Sequence, residues 1–127
     1  MAIAGIGTDL SHAERFRKFL APGKRGLLER IFTPSERTYA LGKRDPVPHL
    51  AARFAAKEAF LKALGLGLRE GMAWQDMEVV HDELGKPKLI LTGRAAEIFR
   101  NRNLKEVHLS YSHDGEYATA TVILEGP

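Results

Sequence analysis

No cysteine occurs among the 127 residues, which excludes disulfide frameworks, thiol catalysis and cysteine-ligated zinc. Tryptophan occurs once and aromatics make up 8% of the chain; they are scattered, without the clustering that a base-stacking platform requires. No apolar run approaches the ~20 residues that span a bilayer, and the first residues show no charged-then-apolar leader. Long linkers, internal repeats and low-complexity tracts are also missing. These absences favour a soluble, cytoplasmic protein folded as one domain over residues 1–127, with neither a membrane nor a nucleic acid as partner.

The hydrophobic content of 44% is enough for a core without covalent or metal staples. A formal charge of +3 and a pI near 9.3 describe a mildly basic chain. The basic residues are unevenly spread: Arg15, Arg17, Lys18, Lys24, Arg25 and Arg30 crowd one stretch opposed within it only by Glu29. Such a stretch is either an ordinary solvated face or a docking surface for an acidic macromolecule.

Two segments carry the chemistry. Gly5-Ile6-Gly7-Thr8-Asp9-Leu10 reads as a strand near residues 2–8 ending in a carboxylate, and Arg53 to Leu64 reads as a helix containing Glu58 and Lys62. Two carboxylates from separate elements can share a hard cation, and a lysine one turn beyond the second can meet a phosphate held by that cation. The pattern suggests a Mg²⁺-diphosphate site. On a helical wheel Leu50, Phe54, Phe60, Leu61 and Leu64 share one arc, while Glu58 and Lys62 lie beyond its edge beside Ala51 and Ala55, giving a polar, shallow face. A plain surface pair at i,i+4 accounts for Glu58 and Lys62 equally simply, at about 0.3–0.5 kcal/mol. Arg53 and Lys57 fit that plain reading less well, because they project into the apolar arc, where a long cation must snorkel or meet a charged partner.

Alternation in the first strand puts Ile3, Gly5, Gly7 and Asp9 on one side, so bulk is missing beside Asp9, as when a ligand or a tightly packed helix comes close. Ser11-His12-Ala13-Glu14 reads as a capping box that starts a helix running to about Leu20, followed by another over about Lys24 to Ile31. Thr33-Pro34-Ser35-Glu36 opens a third helix ending near Gly42, and Pro46 and Pro48 mark a break before the Arg53 helix, which Gly65 and Gly67 close. Met77–His81 and Lys88–Leu91 form one hairpin; Val107–Ser112 and Tyr117–Leu124 form another around Asp114-Gly115, with a short helix from Thr92 to about Arg100 between them. The fold class is α+β, with a mainly antiparallel sheet packed against a long central helix. Lys86 and His113 sit at the hairpin turns as potential phosphate contacts or as solvated tips.

Taken in order, Gly5 to Leu10, Phe32-Thr33-Pro34-Ser35-Glu36, Arg53-Phe54-Ala55-Ala56-Lys57-Glu58-Ala59 with Lys62, Gly85-Lys86-Pro87, and Val107 to His113 resemble the small 4′-phosphopantetheinyl transferases over nearly the whole chain. The resemblance implies transfer of phosphopantetheine from coenzyme A to a serine of apo acyl carrier protein, releasing adenosine 3′,5′-bisphosphate. It implies that Asp9 and Glu58 hold Mg²⁺ and that Lys62 neutralises phosphate charge. Arg53, Lys86, Pro87, Ser112 and His113 would bind coenzyme A, with Arg53 preferred to Lys57. The basic segment containing Arg15, Arg17, Lys18, Lys24 and Arg25 would dock the acidic carrier protein, and a homotrimer would place active sites between subunits. Three positions depart from the family pattern. Gly65-Leu66-Gly67 lacks a central hydroxyl, Ser11 stands where larger relatives carry a third acidic ligand, and Arg37 and Thr38 replace a carboxylate proposed elsewhere as base; Glu58 is the preferred base here. A Mg²⁺-dependent nucleotide phosphohydrolase would use the same three polar residues. A non-enzymatic basic module binding acidic proteins or RNA is the other alternative.

Overall fold

The computed structural model describes residues 1–127. Strand β1 (Ile3–His12) leads into helices α1 (Ala13–Phe19), α2 (Gly26–Ile31) and α3 (Pro34–Leu41) and then the long α4 (Pro46–Leu64). A 3₁₀ turn at Trp74–Asp76 precedes β2 (Met77–His81) and β3 (Pro87–Leu91); α5 (Gly93–Asn101), β4 (Glu106–Asp114) and β5 (Tyr117–Glu125) complete the chain. The antiparallel strands form two sheets, a three-stranded one ordered β1-β5-β4 and the separate β2-β3 hairpin. The α+β class and the central helix match the expectation, while the sheet is divided.

Helix α4 is the axis of the molecule. Asp45 caps it by accepting from the Val47 amide at 3.1 Å, and Pro46 stands in its first turn. The two prolines therefore start the helix instead of breaking the chain before Arg53, because first-turn amides have no intrahelical acceptor to lose. Gly65, at φ 77°, ends it: its amide bonds Lys62 and the Leu66 amide bonds Leu61, the reverse turn that a left-handed glycine permits.

The face of α4 expected to be shallow and open to close approach is the one that β1 covers. Ala51, Ala55 and Ala59 are at most 1% exposed, and β1 crosses closely above the helix. A side chain at Gly7 would bring its Cβ to 2.0 Å from the Ala59 carbonyl oxygen, and one at Gly5 to 2.1 Å from that of Ala63. The glycines thus serve helix-on-strand contact, the packing explanation for their presence. One core cluster joins this helix to the sheets and α5; a second gathers Phe16, Leu28, Phe32, Leu50 and Phe54 beneath α1 to α3.

The first strand continues to His12, beyond the expected limit near residue 8, since its pairing with β5 runs unbroken from Gly5↔Leu124 to His12↔Tyr117. Ser11 is consequently a strand residue and not a helix cap. His12 caps α1 instead, its Nδ1 accepting from the Glu14 amide at 3.1 Å.

Candidate functional site

Register decides which polar groups can meet. Along β5, Ala118, Ala120, Val122 and Leu124 are buried against α4. Asp9 pairs with Ala120 and so faces the helix; Ala120 in turn pairs with Tyr111 of β4. Glu58 and Lys62, one turn apart on α4, come up to the same place. The Lys62 Nζ lies 3.1 Å from Asp9 Oδ1 and donates to the Thr8 carbonyl at 3.0 Å. The other Asp9 oxygen accepts from the Ser11 hydroxyl at 3.2 Å. Ser11 is 3% exposed, so the residue that fails to cap the helix orients this carboxylate.

Glu58 titrates above its ordinary value, chiefly because it is partly buried and secondarily because the Asp9 carboxylate repels its charge; Lys62 and Arg15 pull the other way. A carboxylate whose ionisation is opposed by a neighbouring carboxylate is a natural seat for a hard divalent cation. No cluster of three or more His, Cys, Asp or Glu side chains assembles anywhere in the chain. Asp9 and Glu58 would supply only two carboxylates to a cation held there, leaving room for phosphate or water oxygens, which suits a phosphate-bearing ligand.

The other candidate residues are dispersed. Lys86 and Pro87 lie at the β2-β3 turn beside a cavity of about 320 Å³ whose walls include Asp82, Lys88, Glu106 and His108. Ser112 pairs with Thr119, which pairs with Leu10; all three belong to the sheet face turned away from α4 and line a depression of about 200 Å³ together with His113. His113 lies near enough to His49 for its charge to help lower the pKa of that residue, although burial is the main cause. Within one chain, then, Lys86, Pro87 and Ser112 do not converge on Asp9.

Arg53, expected on the apolar arc, is 2% exposed. Its guanidinium stacks on Tyr39, 4.3 Å from the ring centre, and donates to the His49 carbonyl at 3.2 Å. Around it His81 Nε2 meets the Tyr111 hydroxyl at 2.6 Å, and the His81 ring lies 5.2 Å from Tyr39. This aromatic and cationic group was not legible in the sequence, because its members come from α3, α4, β2 and β4 and no local pattern links them.

The basic segment also divides. Arg17 grips both carboxylate oxygens of Glu116 at 2.6 Å and bonds Glu14 at 2.9 Å, so its charge is matched within the chain. Arg15 lies over Phe54 at 5.5 Å, one helical turn from Glu58. Lys24 and Arg30 line a separate open depression at the start of α2, and Lys18 closes the basic last turn of α1.

Comparison with known proteins gives the family. The 4′-phosphopantetheinyl transferase superfamily matches residues 5–122. A holo-[acyl-carrier-protein] synthase of Syntrophotalea carbinolica is 57% identical over 98% of this chain and 97% of its own; that of Geobacter sulfurreducens is 52% identical over 98% and 99%. Among solved structures, the Neisseria meningitidis synthase superposes with a TM-score of 0.89 at 34% identity, covering 98% of this chain and 99% of that one. The Bacillus anthracis synthase, in complex with CoA (3′,5′-ADP), superposes with a TM-score of 0.81 at 38% identity over 98% of each chain.

Proposed function

The chain belongs to the 4′-phosphopantetheinyl transferase superfamily, and from that premise we propose that it transfers phosphopantetheine from coenzyme A to a serine of apo acyl carrier protein. The observation that carries this reading is the meeting of Asp9, Glu58 and Lys62 where β1 crosses α4. Residues 1–127 act as one transferase unit in the cytoplasm, serving fatty acid biosynthesis.

Asp9 and Glu58 hold Mg²⁺, which when bound supplies charge neutralisation at the coenzyme A diphosphate. The serine oxygen forms a bond to the phosphorus nearest the pantetheine, and the bond from that phosphorus to the bridging oxygen breaks, so adenosine 3′,5′-bisphosphate departs with the electron pair. Lys62, 54% exposed and within reach of this place, turns its ammonium to the phosphate oxygens as charge moves onto the leaving group. Glu58 takes the serine proton directly or through a water.

Lys86, Pro87, Ser112 and His113 serve the same coenzyme from a neighbouring copy in a homotrimer. Support comes from the sheet face bearing Ser112, where Ile6 and Leu10 are each 65% exposed and Tyr117 is 51% exposed, an apolar surface suited to a second subunit. Lys24, Arg25 and Arg15 dock the carrier protein. Mass spectrometry of apo carrier protein incubated with the enzyme, coenzyme A and Mg²⁺ tests the assignment. A phosphopantetheine increment on the carrier, with equimolar adenosine bisphosphate formed only when carrier is present, supports it. Adenosine bisphosphate released without an acceptor would replace it with the phosphohydrolase reading.

A further inference from the structure

A lysine with no exposure stands next to Glu58 and takes no part in the chemistry above. Lys57 is 0% exposed, and its ammonium uses all three protons. It donates to Glu36 Oε1 at 2.7 Å, to the Ile31 carbonyl at 2.8 Å and to the Trp74 carbonyl at 3.2 Å. Glu36 is equally occupied, accepting from the Thr33 amide at 2.9 Å and from the Val79 amide at 2.8 Å. One side chain of α4 thereby joins the C-terminus of α2, the start of α3, the 3₁₀ turn and β2.

The Ile31 bond gives this network a direction. Ile31 is the last residue of α2, and its carbonyl is one of the terminal acceptors that the helix itself leaves free. The opposite end of α2 begins after Lys24 and Arg25, beside Gly23 at φ 77°. Nothing charged anchors that end: Arg25 is the N-cap residue, and no side chain caps the helix there. The free basic end of α2 is thus held in place from its far end. Three side chains meet there, Lys57 on Ile31 and, from the exposed side, Arg37 and Gln75 on the Phe32 carbonyl at 2.6 and 3.1 Å. Of the three, Lys57 alone comes from the helix carrying Glu58, its sequence neighbour, which a helix sets about 100° away around the axis.

We infer that Lys57 is a positioning residue that holds the basic helix α2 in fixed relation to the Asp9–Glu58 pair through the Ile31 carbonyl, so that a carrier protein bound at Lys24 and Arg25 presents its serine to the site. This inference rests on α2 being a docking element for an acidic partner. Packing also ties the end of α2 to α4, since Leu28, Ile31 and Phe32 share a core cluster with Leu50 and Phe54; to that non-directional contact Lys57 adds a directed bond to the Ile31 carbonyl.

The test uses the full-length protein with Lys57→Met combined with Glu36→Gln, which avoids leaving a bare buried carboxylate, and Lys57→Gln as a milder variant retaining one donor. Hydrogen exchange of the α2 amides, including that of Phe32, reads the tie without reference to activity. In both variants these amides should exchange faster than in the wild type while those of β5 do not, and the double variant should change more. The KM for apo carrier protein should rise about tenfold, the equivalent of one lost charge-assisted hydrogen bond, with the KM for coenzyme A unchanged. Wild-type exchange in α2 of either folded variant overturns the inference, as does faster exchange with an unaltered carrier KM. If the wild-type enzyme transfers nothing at all, the transferase reading fails separately, and the exchange data still decide whether Lys57 holds α2.

Discussion

Helix α4 carries two lysine–carboxylate pairs, five residues apart on the same rod, with opposite fates. Lys57 and Glu36 are both 0% exposed in their side chains, 2.7 Å apart and completely partnered. Lys62 and Asp9 are 54% and 14% exposed, 3.1 Å apart, and adjoin a second carboxylate that Asp9 repels. The first arrangement has no capacity left for a ligand. The second has surplus negative charge and a half-exposed cation beside it. The contrast shows that a pair becomes chemically useful when its hydrogen-bonding capacity is left incomplete, and structural when it is closed.

The largest effects should separate the two pairs by activity. Asp9→Ala and Glu58→Ala should each lower kcat/KM for transfer by about 10³-fold or more, on the scale of about 4 kcal/mol of lost electrostatic stabilisation. Both should melt within a few degrees of the wild type, because the open pair contributes little to folding. Steady-state kinetics across a Mg²⁺ titration, together with thermal melts, measure both quantities. Activity near the wild-type level at limiting Mg²⁺ in either variant would move the metal elsewhere.

Stability should reverse the order. Lys57→Ala leaves Glu36 charged and buried without its cation, and breaking such a pair from one side costs about 3–5 kcal/mol. Lys62→Ala removes a half-exposed partner, a loss of at most about 1 kcal/mol. Urea unfolding monitored by Trp74, the only tryptophan, compares them in one experiment. Burial pushes the Lys57 pKa down, against the opposing pull of Glu36; the folded chain therefore binds this proton less tightly than the unfolded chain, and the cost of burying the charge falls as pH rises through the alkaline range. Equal losses for the two alanine variants would dissolve the distinction between closed and open pairs.

How much of this was readable beforehand follows the range of the interactions. The Thr33 capping box, with Glu36 accepting from the Thr33 amide, and the Gly65 terminus arise within a few residues and were evident in the chain. That Lys57 must either snorkel or meet a charged partner was also evident, from its place on an apolar arc; that it meets Glu36 was not, since α3 must first fold back across α4. The reach of β1 to His12 depends on pairing with β5 more than a hundred residues later, which no local signal encodes. The same long-range pairing turned Ser11 from a supposed cap into the group that orients Asp9. The surroundings of Arg53 were hidden for a similar reason: Tyr39, which it stacks on, belongs to another element.

The smallest expected effect is also the sharpest in sign. Glu58 has a folded-state pKa above its unfolded value, raised mainly by partial burial and then by Asp9. The folded protein therefore binds this proton more tightly than the unfolded chain does, and the corresponding stabilisation is complete below the unfolded glutamate value. It is lost as pH rises through the raised folded value, so at neutral pH the ionised Glu58 works against folding. Glu58→Gln removes the charge while keeping nearly the same shape, and should raise Tm at pH 7 by a few degrees at most, roughly the 4 °C or less expected from under about 1 kcal/mol. The modest size reflects solvent screening at a group that is only partly buried. The same substitution should abolish transfer, so a more stable protein would be an inactive one, as expected where a site holds unrelieved charge. Melting both proteins between pH 4 and 8 without divalent metal gives the answer. Their Tm difference should grow as pH rises, and a difference that shrinks or changes sign would show that Glu58 is stabilised by Lys62 and Arg15 more than it is opposed by Asp9 and burial.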